Sequence, residues 1–481
     1  MDERPNIPEA VPKASSDPLS EISAFLKPFS PLFRRSQSRH SLERYITGLL
    51  TDLDRKNCDT IAAAVAGTST ERLQHLLTDA DWDSRQLDGA RLRSLRQKSP
   101  KNAILLLDDT SFPKQGKSSV GVAHQYCGAL GKRTNCQVVV SAHYVADEPE
   151  SSRPLHWPVC AQLYLPESWA EDSQLRERAH VPEAVQFRSK PQIALSLVDL
   201  SREWEVPFEV VVADSGYGDN PSFLGGLEER KVAYVCGVDS AYRVRRPEEV
   251  RAARKEAGAP PYRGRGQPPK ERPAPLYPAK ELIDSLPQEA WQTVSWREGT
   301  KGTLSKQMVA LRVHRATGSQ RHSTTHERVV TAAEGWLIAE RPLVRPVGDN
   351  KSGEEELKYY YSSLGADVSL ERLAALVHSR RAIEQFYEDA KGECGLGDYQ
   401  GRRFDGLHRH LALVMVAYSF LMLHSSVLGE HPSHEEGAFS PLFSAQPHEP
   451  AGDSQAGTDV VAGGSGGVVR RNRSDQDLSP S

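Results

Sequence analysis

The sequence predicts a mixed α/β protein, with a helical region ahead of the sheet and a β-rich insertion within it. Three patterns carry this prediction. Short apolar runs bounded by turn residues, AILLLD at 103–108 and FEVVVAD at 208–214, read as buried strands. Between 190 and 238, helical and strand-like runs alternate, as they do where helices cover a sheet. Before residue 99 the apolar residues instead recur at helical spacing.

Residues 1–20 lack a basic start followed by an apolar stretch, so they read as a disordered leader and not as a secretory signal. Residues 21–98 are expected to be helical. Leu42, Tyr45, Ile46, Leu49, Leu50 and Leu53 share one helix face behind a candidate N-cap at Ser41, and an Ala-rich helix, a Gly67 turn and a helix capped near Thr68 to Thr70 follow. This helix-turn-helix outline, with Arg34, Arg35, Arg39 and Arg44 ahead of it, is compatible with DNA-phosphate binding or with a plain helical bundle carrying a basic surface. Residues 99–238 hold the first part of the sheet: three strands joined directly, a helix near 190–204, the strand ending at Asp214, a helix near 220–229 and a strand at 231–238. Residues 239–369 form the β-rich insertion, with strands expected around 291–296, 306–315, 334–341 and 357–364. Residues 370–427 return to helix, and 428–481 read as a disordered tail rich in Ser, Gly, His and Pro.

Composition narrows the class. At 481 residues, 38% hydrophobic and 26% charged, the chain can build two or three globular cores. The apolar stretch Leu411 to Leu423 is too short and too closely flanked by His and Arg to span a membrane, so it reads as a core helix. Six scattered cysteines show no zinc spacing and fit a reducing cytoplasm. The net charge of −4 conceals an acidic tail with a balance of −5, and the segment Arg243 to Arg272 carries ten Lys/Arg against four Glu. Such a local basic segment suits phosphate binding despite the acidic total.

Candidate chemistry rests on three acids. Asp109 and Asp214 each follow an apolar run, and Glu384 lies on a helix in SRRAIEQFYEDAKGE. Side chains at the carboxyl ends of buried strands converge on a crevice, and two such carboxylates with a third on a helix suit phosphodiester chemistry with Mg2+ or Mn2+. Asp108, on the other side of the strand, is an alternative to Asp109. Arg380, Glu384 and Lys391, spaced by four and seven residues, share one helix face, as phosphate-binding cations around a metal ligand or as a solvated surface with ion pairs. Two decoys are set aside. KQGKSS lacks the first glycine of a P-loop, and His124, His378 and His408 have no paired ligand spacing.

The blocks DDTSFPKQGKSSVGVAHQYCGALGKRTNCQ, VVADSGYGDN and RRAIEQFYEDAKGECGLGDYQGR resemble the signature blocks of bacterial insertion-sequence transposases of the DDE type, in the branch marked by a Tyr-Arg-Glu-Lys helix. Arg380, Glu384 and Lys391 match its last three positions, and Val377 stands where the tyrosine is expected. The resemblance spans roughly 22–427. It implies an RNase H-like catalytic core interrupted by a β-rich insertion, with Asp109, Asp214 and Glu384 binding two Mg2+ (or Mn2+) ions. It also implies cut-and-paste transposition by a homodimer bound to double-stranded DNA at terminal inverted repeats and target, in the bacterial cytoplasm at the nucleoid, with no membrane partner. Some relatives form a DNA hairpin, for which Trp296 is the candidate base-stacking aromatic, although a core or interface role suits it too. The rival expectations are a metal-dependent nuclease of the same fold that does not join strands, and an inactive DNA-binding relative.

Overall fold

The computed structural model describes residues 20–148, 151, 154–257, 274–299, 302–317, 332–343 and 357–428. The expected leader, the expected tail and most of the basic segment after Arg251 lie outside the described residues.

One sheet organises the molecule. Its first part comprises β1 (Ala103–Pro113), β2 (Ala123–Cys127), β3 (Lys132–Ala146), β4 (His156–Tyr164), β5 (Val210–Ala213) and β6 (Ala233–Val238). The long β3 pairs antiparallel with β1 along one edge and with β2 and β4 along the other, while β1, β5 and β6 run parallel. Three antiparallel strands followed by parallel ones reached through helical crossovers give the RNase H-like order that the resemblance implied. The insertion adds β7 (Arg243–Arg245), β8 (Tyr277–Pro278), β9 (Gln292–Gly299), β10 (Gly302–Arg315), β11 (Glu334–Arg341) and β12 (Lys358–Ser362). It is no separate layer: β12 pairs antiparallel with β6, so the core sheet continues through β11, β10, β7 and β8.

The helices are α1 (Ser20–Leu26), α2 (Ser36–Leu50), α3 (Cys58–Ala64), α4 (Thr70–Thr78), α5 (Ser84–Arg96), α6 (Glu167–Ala170), α7 (Ser173–Arg178), α8 (Lys190–Glu203), α9 (Ser215–Gly218), α10 (Pro221–Glu229), α11 (Pro247–Ala257), α12 (Ala279–Asp284), α13 (Leu370–His378), α14 (Arg381–Glu393) and α15 (Phe404–Leu428). They divide between the faces of the sheet. Ile104 and Leu106 of β1 pack in one core with α13, α14, α15 and the N-terminal helices, whereas Leu105 and Leu107 pack in the other with α8 and α10.

Several local expectations change. Ser41 is no N-cap: α2 begins five residues earlier, and Ser41 is buried inside it. Helix α4 does start where expected, with the Ser69 hydroxyl accepting from the amide of Arg72, after a Gly67 with φ 78°. Gly218 is fixed by packing. A Cβ there would lie 1.9 Å from the carbonyl oxygen of Gly237, so glycine is needed for the close approach of α9 to β6. The apolar stretch of α15 is a core helix, with Leu413, Val414, Val416 and Ala417 fully buried. Each such Leu stabilises the fold by about 1.5–3 kcal/mol.

The N-terminal helices are tied to this core by buried polar contacts with several partners each. Arg91 of α5, 1% exposed, donates to the carbonyls of Pro158 and Val159 at 2.7 Å each, to Asp88 at 3.0 Å and to Ser419 at 3.2 Å. His410 of α15 stands between the Tyr45 hydroxyl at 2.8 Å and the Gly395 carbonyl at 3.0 Å, which places its proton on Nε2 and leaves Nδ1 to accept from tyrosine. Lys56 donates to the carbonyls of Leu49 and Glu393.

Candidate active site

Strand register decides which carboxylates meet. The parallel pairing of β1 with β5 runs from Ile104 opposite Val210 to Leu107 opposite Ala213, so the next residues on the two strands are Asp108 and Asp214. Aligned residues on neighbouring strands share a face, and here it is the face of Leu106 and Val212, which α14 covers. Asp109 belongs to the opposite face. Its Oδ2 accepts from Lys190 Nζ at 2.8 Å, at the start of α8, and its Oδ1 lies 3.5 Å from the Tyr217 hydroxyl. The structure thus sets Asp108, and not Asp109, against α14, while Asp109 remains near enough to act on Asp214. Nor does β1 end at the acids, because its pairing with β3 continues to Pro113 opposite Cys136.

Arg380 sits among these groups just before α14. Its Nη2 donates to Asp108 Oδ2 at 3.1 Å and lies 3.9 Å from Glu384 Oε1. Glu384 remains 61% exposed at its side chain. Lys391, about two turns beyond, lies 5.9 Å from the ring centre of Tyr387 and 6.0 Å from that of Phe112. Arg380 and Glu384 thus share the carboxylate site as their spacing suggested, and Lys391 borders it. Val377 is 4% exposed and packs in the core beside Ile383 and Phe386, so its position offers no polar contact.

Burial dominates the electrostatics. It pushes the Asp108 carboxyl up to about 7, with Asp214 and Asp109 adding repulsion and Arg380 opposing both. Asp214 is raised in the same way, first by burial and then by Asp109, again against Arg380. Burial lowers the Lys391 ammonium. Asp214 Oδ1 is buried without a hydrogen-bond partner, and the Asp108 carboxylate has only the Asp109 amide, at 2.8 Å, and Arg380. Buried carboxylate oxygens short of donors fit a cation. Among the described residues no three acids, histidines or cysteines converge tightly enough to hold a metal as they stand. Glu384 would have to turn inward past the Arg380 guanidinium.

The other expected contacts scatter. Arg34 pairs with Asp81 at 3.2 Å on the surface; Arg39 donates to the carbonyls of Phe33 and Arg34; Arg44 lies 3.6 Å from Glu43. Arg35 lines a surface hollow with Arg72 and His75. Trp296 stacks flat on His378, 3.7 Å between ring centres and 9° between planes, and packs against the core. Beneath it Glu340, 1% exposed, is held at about 2 despite its burial by His378, 2.9 Å away, and by Lys306 at 2.6 Å. Sequence reasoning missed Lys190 and Tyr217, the partners of Asp109. The only signal for Lys190 was its place beside a helix start at Ser189.

An RNase H-like sheet with a buried and a half-buried aspartate where the parallel pairing of β1 and β5 ends, covered by a helix that brings Arg and Glu, defines the polynucleotide-cutting class of this fold. The chain belongs to the DDE superfamily endonuclease family, whose model matches residues 28–303. It is also similar to a protein of Microchaete diplosiphon described as "Probable transposase for insertion sequence element IS701", with 27% identity over 235 residues. That match covers 48% of this chain and 57% of the relative's length.

Proposed function

We propose that the chain is a DNA transposase that cleaves the ends of an insertion sequence and transfers the freed strand to a target. The observation that carries the proposal is the register that sets Asp108 beside Asp214, under the helix holding Arg380 and Glu384. Divalent-metal dependence goes with the family. We take the metal to be Mg2+ or Mn2+, two ions per site, held by Asp108, Asp214 and Glu384. Bound there, the cations would supply charge stabilisation and activation of a water or 3'-hydroxyl. Asp109 lies next to the site and is held by Lys190, a supporting place in this reading and not the first-ligand place that sequence suggested. Asp214 Oδ1 is the unpartnered acceptor for a cation, the Asp108 oxygens each keep a lone pair beside their single donor, and Glu384 adds an exposed carboxylate on the solvent side. Arg380 neutralises Asp108 in the free protein, and its five donors match a phosphate when DNA enters. Lys391 lies at the border of the same surface, as a second phosphate ligand.

The partners are double-stranded DNA, as terminal inverted repeats and as target, with a homodimer assembled on it near the nucleoid. Arg34 and Arg35, exposed ahead of α2, would add backbone affinity that falls steeply with salt. Arg245 of β7 is not part of that surface, since it is 1% exposed and donates to the Ala274 carbonyl at 3.1 Å. The deciding experiment supplies a labelled transposon end, target DNA and Mg2+. Joined product supports transposition, and hydrolysis without joining would reduce the chain to a nuclease.

A further inference from the structure

The hairpin of β2 and β3 extends from the strand that pairs with β1, and its free edge ends the sheet. From Thr110 to Ala146 the chain contains no Asp or Glu, but it does contain Lys114, Lys117, Lys132 and Arg133. Lys114 is spent on the carbonyls of Gly397 and Tyr399. Lys117, Lys132 and Arg133 are exposed, and none forms an ion pair among the described residues.

Pairing places the side chains. His124 and Tyr126 alternate outward on β2, opposite Asn135 and Arg133 on β3, so the four share one face of a two-stranded ribbon. Tyr126 is 61% exposed and Leu130, in the turn, 49%. Lysines along an edge strand discourage pairing with other chains, but a bare tyrosine and leucine do the reverse, so edge protection alone does not account for this surface. The ribbon is also anchored to the catalytic strand: the Ala129 amide donates to Ser111 Oγ at 3.1 Å, two residues past Asp109. At its base, Lys391 Nζ lies 6.0 Å from the ring centre of Phe112, on the same catalytic strand, which brings a further cation near the foot of the ribbon.

We propose that the β2–β3 hairpin is a DNA-contacting ribbon, with Lys117, Lys132 and Arg133 on backbone phosphates and Tyr126 stacked on an unpaired base beside the scissile bond. The inference rests on the reading of the chain as a DNA-cutting enzyme and adds a surface to it. Charge complementarity selects nucleic acid over a second copy of the chain, since two such cationic ribbons would repel. Tyr126 is also a freer stacking platform than Trp296, whose one face His378 already covers.

The test uses the full chain and a fluorescein-labelled duplex of mixed sequence with an unpaired 3' end, titrated across salt in the presence of chelator. The double variant Lys132→Ala, Arg133→Ala should flatten the slope of log affinity against log salt by about 2. Tyr126→Ala should weaken binding about tenfold with the slope unchanged, and Tyr126→Phe should restore it. Thermal unfolding of each variant should match wild type, because the side chains are exposed. Variants that bind as wild type does, or that change only the sedimenting mass, would overturn the ribbon while leaving the enzyme reading intact. Failure of the wild type itself to bind the duplex would sink that reading, and the ribbon with it.

Discussion

Where the N-terminal helices meet α15, buried polar groups are surrounded by partners, whereas at the parallel end of the sheet buried carboxylates are left short of them. Arg91 reaches two carbonyls, a carboxylate and a hydroxyl, with its Nε alone left over; His410 has one partner for each ring nitrogen. Asp214 keeps an oxygen with no partner, and Asp108 relies on one arginine and one amide. Burial of opposite charges and well-partnered donors costs little and rigidifies; burial of like charges short of donors costs stability and persists where a ligand completes it. The difference separates scaffold from site more sharply than exposure does, since both regions are enclosed.

The largest expected effect tests that separation directly. Asp108→Asn and Asp214→Asn should each lower DNA cleavage by about a thousandfold or more, the scale of a lost metal ligand, with thermal stability unchanged or raised because a buried charge has gone. Asp109→Asn should cost less activity and more stability, since it strands Lys190. Equal cleavage by Asp108→Asn and wild type would return the first-ligand place to Asp109. Arg91→Met should do the opposite of the site variants. It strands Asp88 and two carbonyls, so denaturant unfolding should show a loss of about 3–5 kcal/mol, while cleavage per folded molecule stays at the wild-type value.

The two regions should also respond to pH with opposite signs. Burial lowers His410 to about 4, against an ordinary histidine value of 6.5. Between those values only the unfolded chain binds the proton, so this stability is whole above 6.5 and is lost as pH falls. Asp108, raised to about 7 from 3.8, keeps its proton when folded and loses it when unfolded. Its contribution is whole below 3.8 and is lost as pH rises to 7. Each group should contribute a slope of about 1.4 kcal/mol per pH unit within its window. Unfolding free energies measured in chelator should lose the falling component in Asp108→Asn and the rising one in His410→Gln. Failure of either variant to change the slope would remove that group from the comparison. The smallest effect is Tyr45→Phe, which removes one hydrogen bond to His410 and should cost about 0.5–1.5 kcal/mol by chemical denaturation.

How much was legible beforehand differs between fold and site. The apolar runs at 136–147, 157–166, 231–238 and 334–341 read as strands because β-branched residues and bounding turns leave little choice, and β3, β4, β6 and β11 stand there. The hairpin partner β2 was not legible, since Ala123–Cys127 alternates exposed and half-buried positions with no apolar run to mark it. The helix spacing of Arg380, Glu384 and Lys391 brought Arg380 and Glu384 within 3.9 Å of each other and left Lys391 at the border.

By itself the sequence determined that adjacent acids 108 and 109 must face opposite sides of a strand, because side chains alternate with a period of two. It could not say which of the two faces α14, since the residues leading up to them, Ile104 to Leu107, are apolar on both. Only tertiary structure decided that, by pairing Leu107 with Ala213 in parallel register and by laying α14 on the even-numbered face. Pairing register and helix placement are relations between distant segments, and no local pattern around Asp108 carries them.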